Sequence, residues 1–464
     1  MLDMVIASGK VVFPGQKVQK VNIGVRGERI AGFFDAESTP EAGRVIDATG
    51  WHVFPGAIDP HVHLGIYNPY LEDFEVDTQA AALGGYTTIV NYYRHKESYL
   101  GTIAKMTEEA AEVSLIDFAF SLGLLRQAHW DEFEEAVRET GVTSWKFYRQ
   151  YEGRVDSVFG IEDALTLNDA ELLETIRRFA ELSDKLLVCV HCENMDIARR
   201  AAAMLQAKEQ VEHTLAEFAK TSPSYAEADN VLQTLHLAYL AGGPGNVYIV
   251  HLSSGHSVDI LERCYWLVEE TGTVIETTPH YLNLTKNAPA GLFAKVGPPI
   301  QSEWDQQRLW EGVEQGLITA YGGDHIPCRP VEKKGGQDLW ETKYGFGGIG
   351  TEFSLMLSEG YHKRGVPLEQ IAVLTSQQPA ISFGLYPRKG AMVVGADADF
   401  ALVDLSLERT ITPDMPEVTD GYSVYEGMTT KGWPVKTVLR GQVIADHGKV
   451  VEKAGYGQYL RREI

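Results

Sequence analysis

Apolar and polar positions alternate over residues 1 to about 52, between turn signals such as Ser8-Gly9. Such alternation is typical of short strands that bury one face. From Val53 to about Gly384 the pattern changes, because short apolar runs now alternate with stretches of helical periodicity. After Gly384, short strand-like runs separated by glycine turns return. The pattern therefore predicts repeated βα units flanked at both ends by antiparallel strands.

The middle segment contains enough strand candidates for a closed barrel. They begin near Val53, Thr87, Asp117, Thr143, Leu186, Asn246, Val274 and Leu317. Eight such βα units predict an α/β chain with a (β/α)₈ TIM-type barrel. The two chain ends are expected to form a small β-sandwich domain together. The predicted boundaries are 1–52 plus 385–445 for the small domain, 53–384 for the catalytic barrel and 446–464 for a C-terminal tail.

Metal-binding residue types follow several of these strand candidates. They are His61, His63, His191, His251 and Asp324. In a (β/α)₈ barrel the C-terminal ends of the strands meet at one face, so these side chains should converge. Residues i and i+2 of an extended segment point the same way, so the first two histidines can reach one cation. Imidazole and carboxylate suit Zn²⁺, with Mn²⁺, Co²⁺ or Fe²⁺ as weaker possibilities.

Lys146 lies in a similar position, within the strand-like run Ser144-Trp145-Lys146-Phe147-Tyr148. An ammonium group repels a dication and has no lone pair to donate. A lysine whose pKa is lowered by burial or by a nearby cation can instead add CO₂. The resulting carbamate has two oxygens that could bridge two metal ions. The lysine is thus a candidate sixth ligand in a binuclear site.

The kinds and the order of these six residues resemble those of the cyclic amidohydrolases, and most of all those of the dihydropyrimidinase and hydantoinase branch. Residues 55–63 are similar to the first-strand signature of that family, and residues 82–88 to its second. Beyond the barrel, residues 384–390 and 395–399 resemble the segment that returns to the family's small domain. The resemblance spans nearly the whole chain.

This resemblance implies a metal-dependent hydrolase. It would open the C–N amide bond of a hydantoin, dihydropyrimidine or allantoin-like ring by a metal-bridging hydroxide. Two divalent ions, with zinc the best fit, would be held by His61, His63 and Asp324 on one side and by His191 and His251 on the other, with carbamylated Lys146 between them. Family relatives also imply a homo-oligomer, specifically a tetramer.

The resemblance also assigns roles in catalysis. Asp324 would take the proton of the attacking water and return it to the leaving nitrogen. Tyr151, five residues after Lys146, would stabilise the tetrahedral oxyanion with its hydroxyl.

Departures from the family pattern bear on the substrate. Dihydroorotases commonly carry an arginine two residues after His-x-His, where this chain has Gly65. Dihydroorotate is therefore expected to be a poor substrate, unless Arg94, Arg149 or Arg329 binds its carboxylate. Two further positions, Gly297 and Phe346, replace a serine and an asparagine that are typical of dihydropyrimidinases. The candidate substrate-binding residues are Tyr151, Gly297, Phe346, Tyr67 and Arg149, and the pocket could accept an aromatic or anionic substituent.

Two other functions compete with this interpretation. A mononuclear deaminase of the same superfamily would share the histidines and the aspartate but would not need Lys146, so metal stoichiometry distinguishes the two. A non-catalytic scaffold like the dihydropyrimidinase-related proteins would have lost ligands. The complete ligand set argues against that scaffold.

Composition narrows the set of partners. The 464 residues carry 41 Lys and Arg against 64 Asp and Glu, a formal charge of −23. We find no basic cluster, so nucleic acid and anionic membranes are poor partners, and a small-molecule cyclic amide is the expected one. The chain lacks a signal-like start and an apolar run of membrane length, which favours a cytoplasmic location. Its 4 cysteines are expected to be reduced.

Overall fold

A computed structural model describes residues 1–242, 245–328, 333 and 337–464. Its strands are β1 (Leu2–Ala7), β2 (Lys10–Phe13), β3 (Lys17–Arg26), β4 (Arg29–Asp35), β5 (Ala42–Asp47), β6 (His52–Pro55), β7 (Ala57–Val62), β8 (Tyr86–Tyr93), β9 (Asp117–Gly123), β10 (Ser144–Tyr148), β11 (Leu187–His191), β12 (Val247–Ile249), β13 (Val274–Thr277), β14 (Ala320–Tyr321), β15 (Phe400–Thr410), β16 (Thr429–Leu439), β17 (Gln442–Asp446) and β18 (Lys449–Val450).

Strands β7 to β14 form one eight-stranded sheet in sequential order, and each strand pairs in parallel with the next. The sheet curls back on itself, because the end of β7 pairs with the segment that follows β14. The N–H of His63 donates to the carbonyl of His325 at 2.8 Å, and Val62 and His325 form an isolated parallel β-bridge. The predicted (β/α)₈ barrel is thereby confirmed. Because every strand runs the same way, all eight C-terminal ends lie at one face.

Helices cover the outside of the barrel. The α-helices are Tyr70–Leu83, Thr102–Val113, Gln127–Thr140, Val155–Phe159, Asp169–Leu182, Met195–Gln206, Leu215–Ala219, Ser224–Ala241, Gly255–Arg263, Tyr265–Thr271, Pro279–Asn283, Glu303–Glu314, Ile349–Leu355, Leu368–Ala372 and Gln378–Ser382. Short 3₁₀ turns occur at Arg149–Tyr151 and Gly291–Ala294, and π-helical stretches at Met356–Arg364 and Val373–Gln377. Within the described residues, no helix is both long and apolar enough to span a membrane.

The remaining strands form a mixed sheet built from both chain ends, in the order β18-β17-β16-β15-β6-β2-β3-β1-β5, with β4 paired to β3. Central positions of this sheet are fully buried, among them Val11, Ile23, Phe400 and Val438. The small domain of the expected fold class is thus made from both termini.

One strand differs from the sequence expectation. The run that begins at Val53 was expected to open the barrel, but β6 pairs with β15 of the terminal sheet, with Val53 opposite Leu402. The first barrel strand starts at Ala57 instead. Gly56 separates the two, and a Cβ there would lie 2.2 Å from Thr87 Oγ1, so the chain can cross between the sheets only with glycine at this point.

A buried cluster of charges ties the barrel to the terminal sheet. Nζ of Lys389 lies 2.5 Å from Asp117 at the start of β9, 2.7 Å from Asp399 and 3.0 Å from Asp397. Arg440 reaches the same Asp117 from the other side. The surrounding carboxylates outweigh the effect of burial and raise the pKa of Lys389. The lysine therefore stays charged, and each carboxylate depends on a cation for compensation.

Replacing Lys389 with alanine should lower the free energy of unfolding by about 3–5 kcal/mol, because it leaves buried carboxylates without their partner. The matched control is Lys105→Ala, which removes only an exposed pair with Glu109 and should cost about 0–1 kcal/mol. Denaturant unfolding followed by circular dichroism measures both. Equal losses in the two variants would show that the cluster does not hold the domains together.

Candidate metal centre and active site

Six metal-binding candidates lie at the C-terminal face of the barrel, and they come from five of its strands or from the residues that directly follow those strands. His61 is in β7 and His63 directly follows it, while Lys146 lies within β10 and His191 ends β11. His251 and Asp324 come two and three residues after β12 and β14. All six residues are buried, with exposed fractions of 8% or less.

The tightest group consists of His61, His63 and Asp324, whose candidate ligand atoms lie within 4.8 Å of one another. Oδ1 of Asp324 is 3.5 Å from Nε2 of His61 and 3.2 Å from Nε2 of His63. Although burial acts to raise its pKa, the two imidazoles hold the pKa of Asp324 well below its usual value. The carboxylate is therefore ionised and suited to a cation.

The other two histidines adjoin this group. The ring centroids of His191 and His251 are 4.5 Å apart, and those of His61 and His251 are 5.5 Å apart. Burial lowers the pKa of each of these rings, so they are neutral and carry a free nitrogen lone pair.

Lys146 projects into the same space. Its Nζ is buried and has no hydrogen-bond partner among the described residues. It lies 5.2 Å from the ring centroid of Tyr92 and 5.8 Å from that of Tyr148. Burial lowers the pKa of this amine to about 8, which makes its neutral form accessible.

The donor set fits divalent ions. Nε2 of His61, Nδ1 of His251 and Nζ of Lys146 are buried without hydrogen-bond partners in the described structure, an arrangement that costs free energy unless another group compensates. Imidazole nitrogens and a carboxylate oxygen are ligands for zinc and similar metals.

Two buried carboxylates that the sequence analysis did not single out hold the ligands in place. Oε1 of Glu276, in β13, is 2.8 Å from Nδ1 of His61 and accepts the N–H of His251 at 2.9 Å. Asp59 accepts the N–H groups of His61 at 3.0 Å and Gly323 at 2.9 Å. Hydrogen bonding at Nδ1 leaves Nε2 of His61 free to face a metal. The sequence indicates these two carboxylates only by placing an acidic residue within a strand that is otherwise expected to be buried.

Backbone geometry also shapes this centre. His251 and Asp324 have φ angles of 42° and 48°, in the left-handed region that costs non-glycine residues energy. A Cβ at Gly323 would lie 2.5 Å from carboxylate oxygens of Asp59 and Glu352, so only glycine fits before Asp324. Backbone strain is therefore present where these two ligands are presented.

A cavity of about 460 Å³ opens above the ligands. Of the five residues proposed to bind substrate, Tyr67, Tyr151 and Gly297 line it. Tyr151 ends the 3₁₀ turn that follows β10, and its Oη accepts a hydrogen bond of 3.0 Å from Nη1 of Arg94. Since the phenol oxygen accepts there, its own O–H remains available to donate into the cavity.

The other two candidates do not line the cavity. The guanidinium of Arg149 is buried and turned towards Asp169 and Glu152, at 2.6 and 3.4 Å. The ring of Phe346 packs edge-on against His280 at 5.2 Å between centroids, and its neighbour Gly345 lines the cavity instead. Arg329, the remaining arginine named as a possible carboxylate ligand, lies outside the described residues.

Comparisons with known proteins agree with this geometry. The Amidohydrolase family matches residues 52–444. The chain is 30% identical to the L-hydantoinase of Paenarthrobacter aurescens, over 100% of this chain and 98% of that protein. It is 32% identical to the allantoinase of Deinococcus radiodurans, over 97% and 96%. Its fold is similar to the crystal structure of dihydropyrimidinase from Brevibacillus agri NCHU1002, with a TM-score of 0.88, 30% identity and coverage of 100% and 99%. The chain belongs to the Amidohydrolase family.

Proposed function

We infer that this protein is a metal-dependent hydrolase that opens the C–N bond of a cyclic amide or ureide. The observation that carries the inference is the meeting of four histidines, an ionised aspartate and a buried lysine at one face of the barrel, beneath a cavity. Among the described residues, Nζ of this lysine has no hydrogen-bond partner. Relatives named as hydantoinase, allantoinase and dihydropyrimidinase support the reaction class.

We propose that the centre takes two divalent ions, zinc fitting best. His61, His63 and Asp324 would hold one, and His191 and His251 the other. Lys146, as a carbamate formed with CO₂, would bridge them, which accounts for a buried amine among cation ligands. The bound ions would supply an activated water and polarise the carbonyl under attack.

The side chains of the chain itself then direct the reaction. The Asp324 carboxylate would accept the proton of the attacking water and pass it to the ring nitrogen as the C–N bond breaks. Its lowered pKa keeps the carboxylate ionised, so a lone pair is present to accept that proton. The Tyr151 hydroxyl would donate to the carbonyl oxygen as it becomes negative, because its oxygen already accepts from Arg94.

Replacing Lys146 with alanine should reduce bound metal from two ions per chain and abolish turnover, because the bridging ligand is gone. A short-chain carboxylate should restore part of the activity by taking the place of the carbamate. Elemental analysis and ring-opening assays measure the two effects, and exposed Lys208→Ala is the control. One ion per chain in the active wild type would favour the mononuclear deaminase, and full activity of Lys146→Ala would reject the binuclear centre.

Substitutions of Asp324 and Tyr151 should have different effects on metal content and turnover. Asp324→Asn removes a charged ligand and the proton acceptor, so turnover of every substrate should collapse. Tyr151→Phe should retain both metals and lose turnover on the order of 10²–10³, the effect of deleting one oxyanion donor. Exposed Tyr225→Phe is the control. Equal metal loss in the Asp324 and Tyr151 variants would assign Tyr151 a structural role.

The substrate range should include at least one of a 5-substituted hydantoin, dihydrouracil or allantoin, while dihydroorotate should be poor. This chain has no arginine at position 65, and a side chain there would be strained, since φ is 85° and a Cβ would lie 3.1 Å from Tyr70. A carboxylate facing that position would be desolvated without a cation. Steady-state kinetics on the metal-loaded protein tests this range. Efficient turnover of dihydroorotate alone would overturn it.

A further inference from the structure

Positive charge is concentrated in the cavity of this acidic protein. Arg94, Arg154, Arg199 and Lys295 all line it. The two carboxylates in the lining are already engaged, since Asp324 contacts the ligand histidines and Glu193 lies 3.1 Å from His191 and accepts the hydroxyl of Ser222. A chain with a formal charge of −23 repels anions at long range, so a cationic cavity indicates a ligand that needs the local charge.

Arg94 is the best placed of these cations. Its guanidinium carbon lies 5.9 Å from the ring centroid of Tyr151, 6.0 Å from that of Tyr148 and 5.5 Å from that of Phe159. No carboxylate of the described residues lies within ion-pair distance of it. Its one side-chain hydrogen bond in the described structure uses Nη1, so the edge formed by Nε and Nη2 is free to bind a carboxylate through two parallel bonds.

Two further arginines stand in the same lining. Arg199, in the helix Met195–Gln206, is partly buried and donates to the carbonyl of Glu152, next to Tyr151. Arg154 lies in the turn that follows Tyr151 and is exposed. Neither has an ion-pair partner in the part of the chain that is described. Lys295, by contrast, is held by the carbonyls of Leu339 and Thr342, so its ammonium is partly committed.

We propose that the substrate is a cyclic ureide or imide whose ring substituent ends in a carboxylate, and that Arg94, supported by Arg199 and Arg154, binds that carboxylate. This proposal rests on the proposed hydrolase function. The Tyr151 hydroxyl would face the carbonyl under attack and lies 3.0 Å from Arg94, so the acidic arm belongs on the ring carbon beside that carbonyl. In dihydroorotate the carboxylate is attached directly to a ring carbon that is not next to the carbonyl under attack, so it has no flexible arm with which to reach Arg94 and dihydroorotate stays a poor substrate.

Two hydantoins of equal shape test the charge. One carries a 2-carboxyethyl arm at C5 and the other a 2-carbamoylethyl arm. In both, water cleaves the N3–C4 bond, placing OH on C4 and H on N3, and yields an N-carbamoyl amino acid. The zinc-loaded full-length protein should show kcat/KM about tenfold or more higher for the acid.

Arg94→Met should bring that ratio close to one, even if it also slows both reactions through the lost bond to Tyr151. Arg94→Lys should keep part of the preference, because it retains the charge but not the flat two-pronged edge. The matched control is Arg200→Met, since Arg200 is exposed on the same helix as Arg199 and does not line the cavity. An unchanged ratio in Arg94→Met, or a wild type that prefers the amide, overturns the proposal.

Binding of the ring-opened products separates this proposal from the hydrolase function. Calorimetry should find N-carbamoylglutamate bound about tenfold more tightly than N-carbamoylglutamine, and Arg94→Met should remove the difference. If neither hydantoin is hydrolysed but this Arg94-dependent preference is present, the hydrolase function fails and the anion site stands. Equal binding of the two products by the wild type refutes the anion site whatever the turnover.

Discussion

The parallel direction of the barrel strands is the constraint on which this molecule depends. Because β7 to β14 run the same way and β7 meets the segment after β14 through His63 and His325, every strand delivers its last residues to one face. Residues more than 260 positions apart, such as His61 and Asp324, thereby come within 3.5 Å. An isolated strand end would leave a polar side chain in solvent, whereas closure turns several of them into a buried binding site.

That constraint explains why so much could be predicted from the sequence. Strand direction and alternation place His61, His63, His191, His251 and Asp324 at one face without any knowledge of packing, and a lysine among them is informative because an ammonium does not belong there. The pattern does not show which neighbouring strand each strand pairs with. The run at Val53 reads as a strand in either sheet, and only its pairing with Leu402 assigns it to the terminal sheet.

Besides strand pairing, local sequence also does not determine the direction in which a side chain points. Arg149 and Tyr151 lie in the same 3₁₀ turn, yet one pairs with Asp169 and the other lines the cavity. The same holds for Phe346, whose ring packs on His280 while Gly345 faces the cavity. Glu276 and Asp59 were missed for a related reason, because a buried acid in a strand has meaning only once its hydrogen-bond partners are known.

Charge is used in opposite ways at the two ends of the barrel. Near β9, Lys389 and Arg440 are surrounded by carboxylates, so the buried charges compensate one another and serve to join two sheets. At the opposite face, Lys146 and Arg94 have no carboxylate partner among the described residues, so their compensation has to come from outside the polypeptide. Burying a cation without a partner costs stability, and a fold keeps such an arrangement where a ligand supplies the missing charge. Under the proposals above, CO₂ would convert the Lys146 amine into an anionic carbamate that bound metal ions compensate, and a substrate carboxylate would supply the missing anion at Arg94.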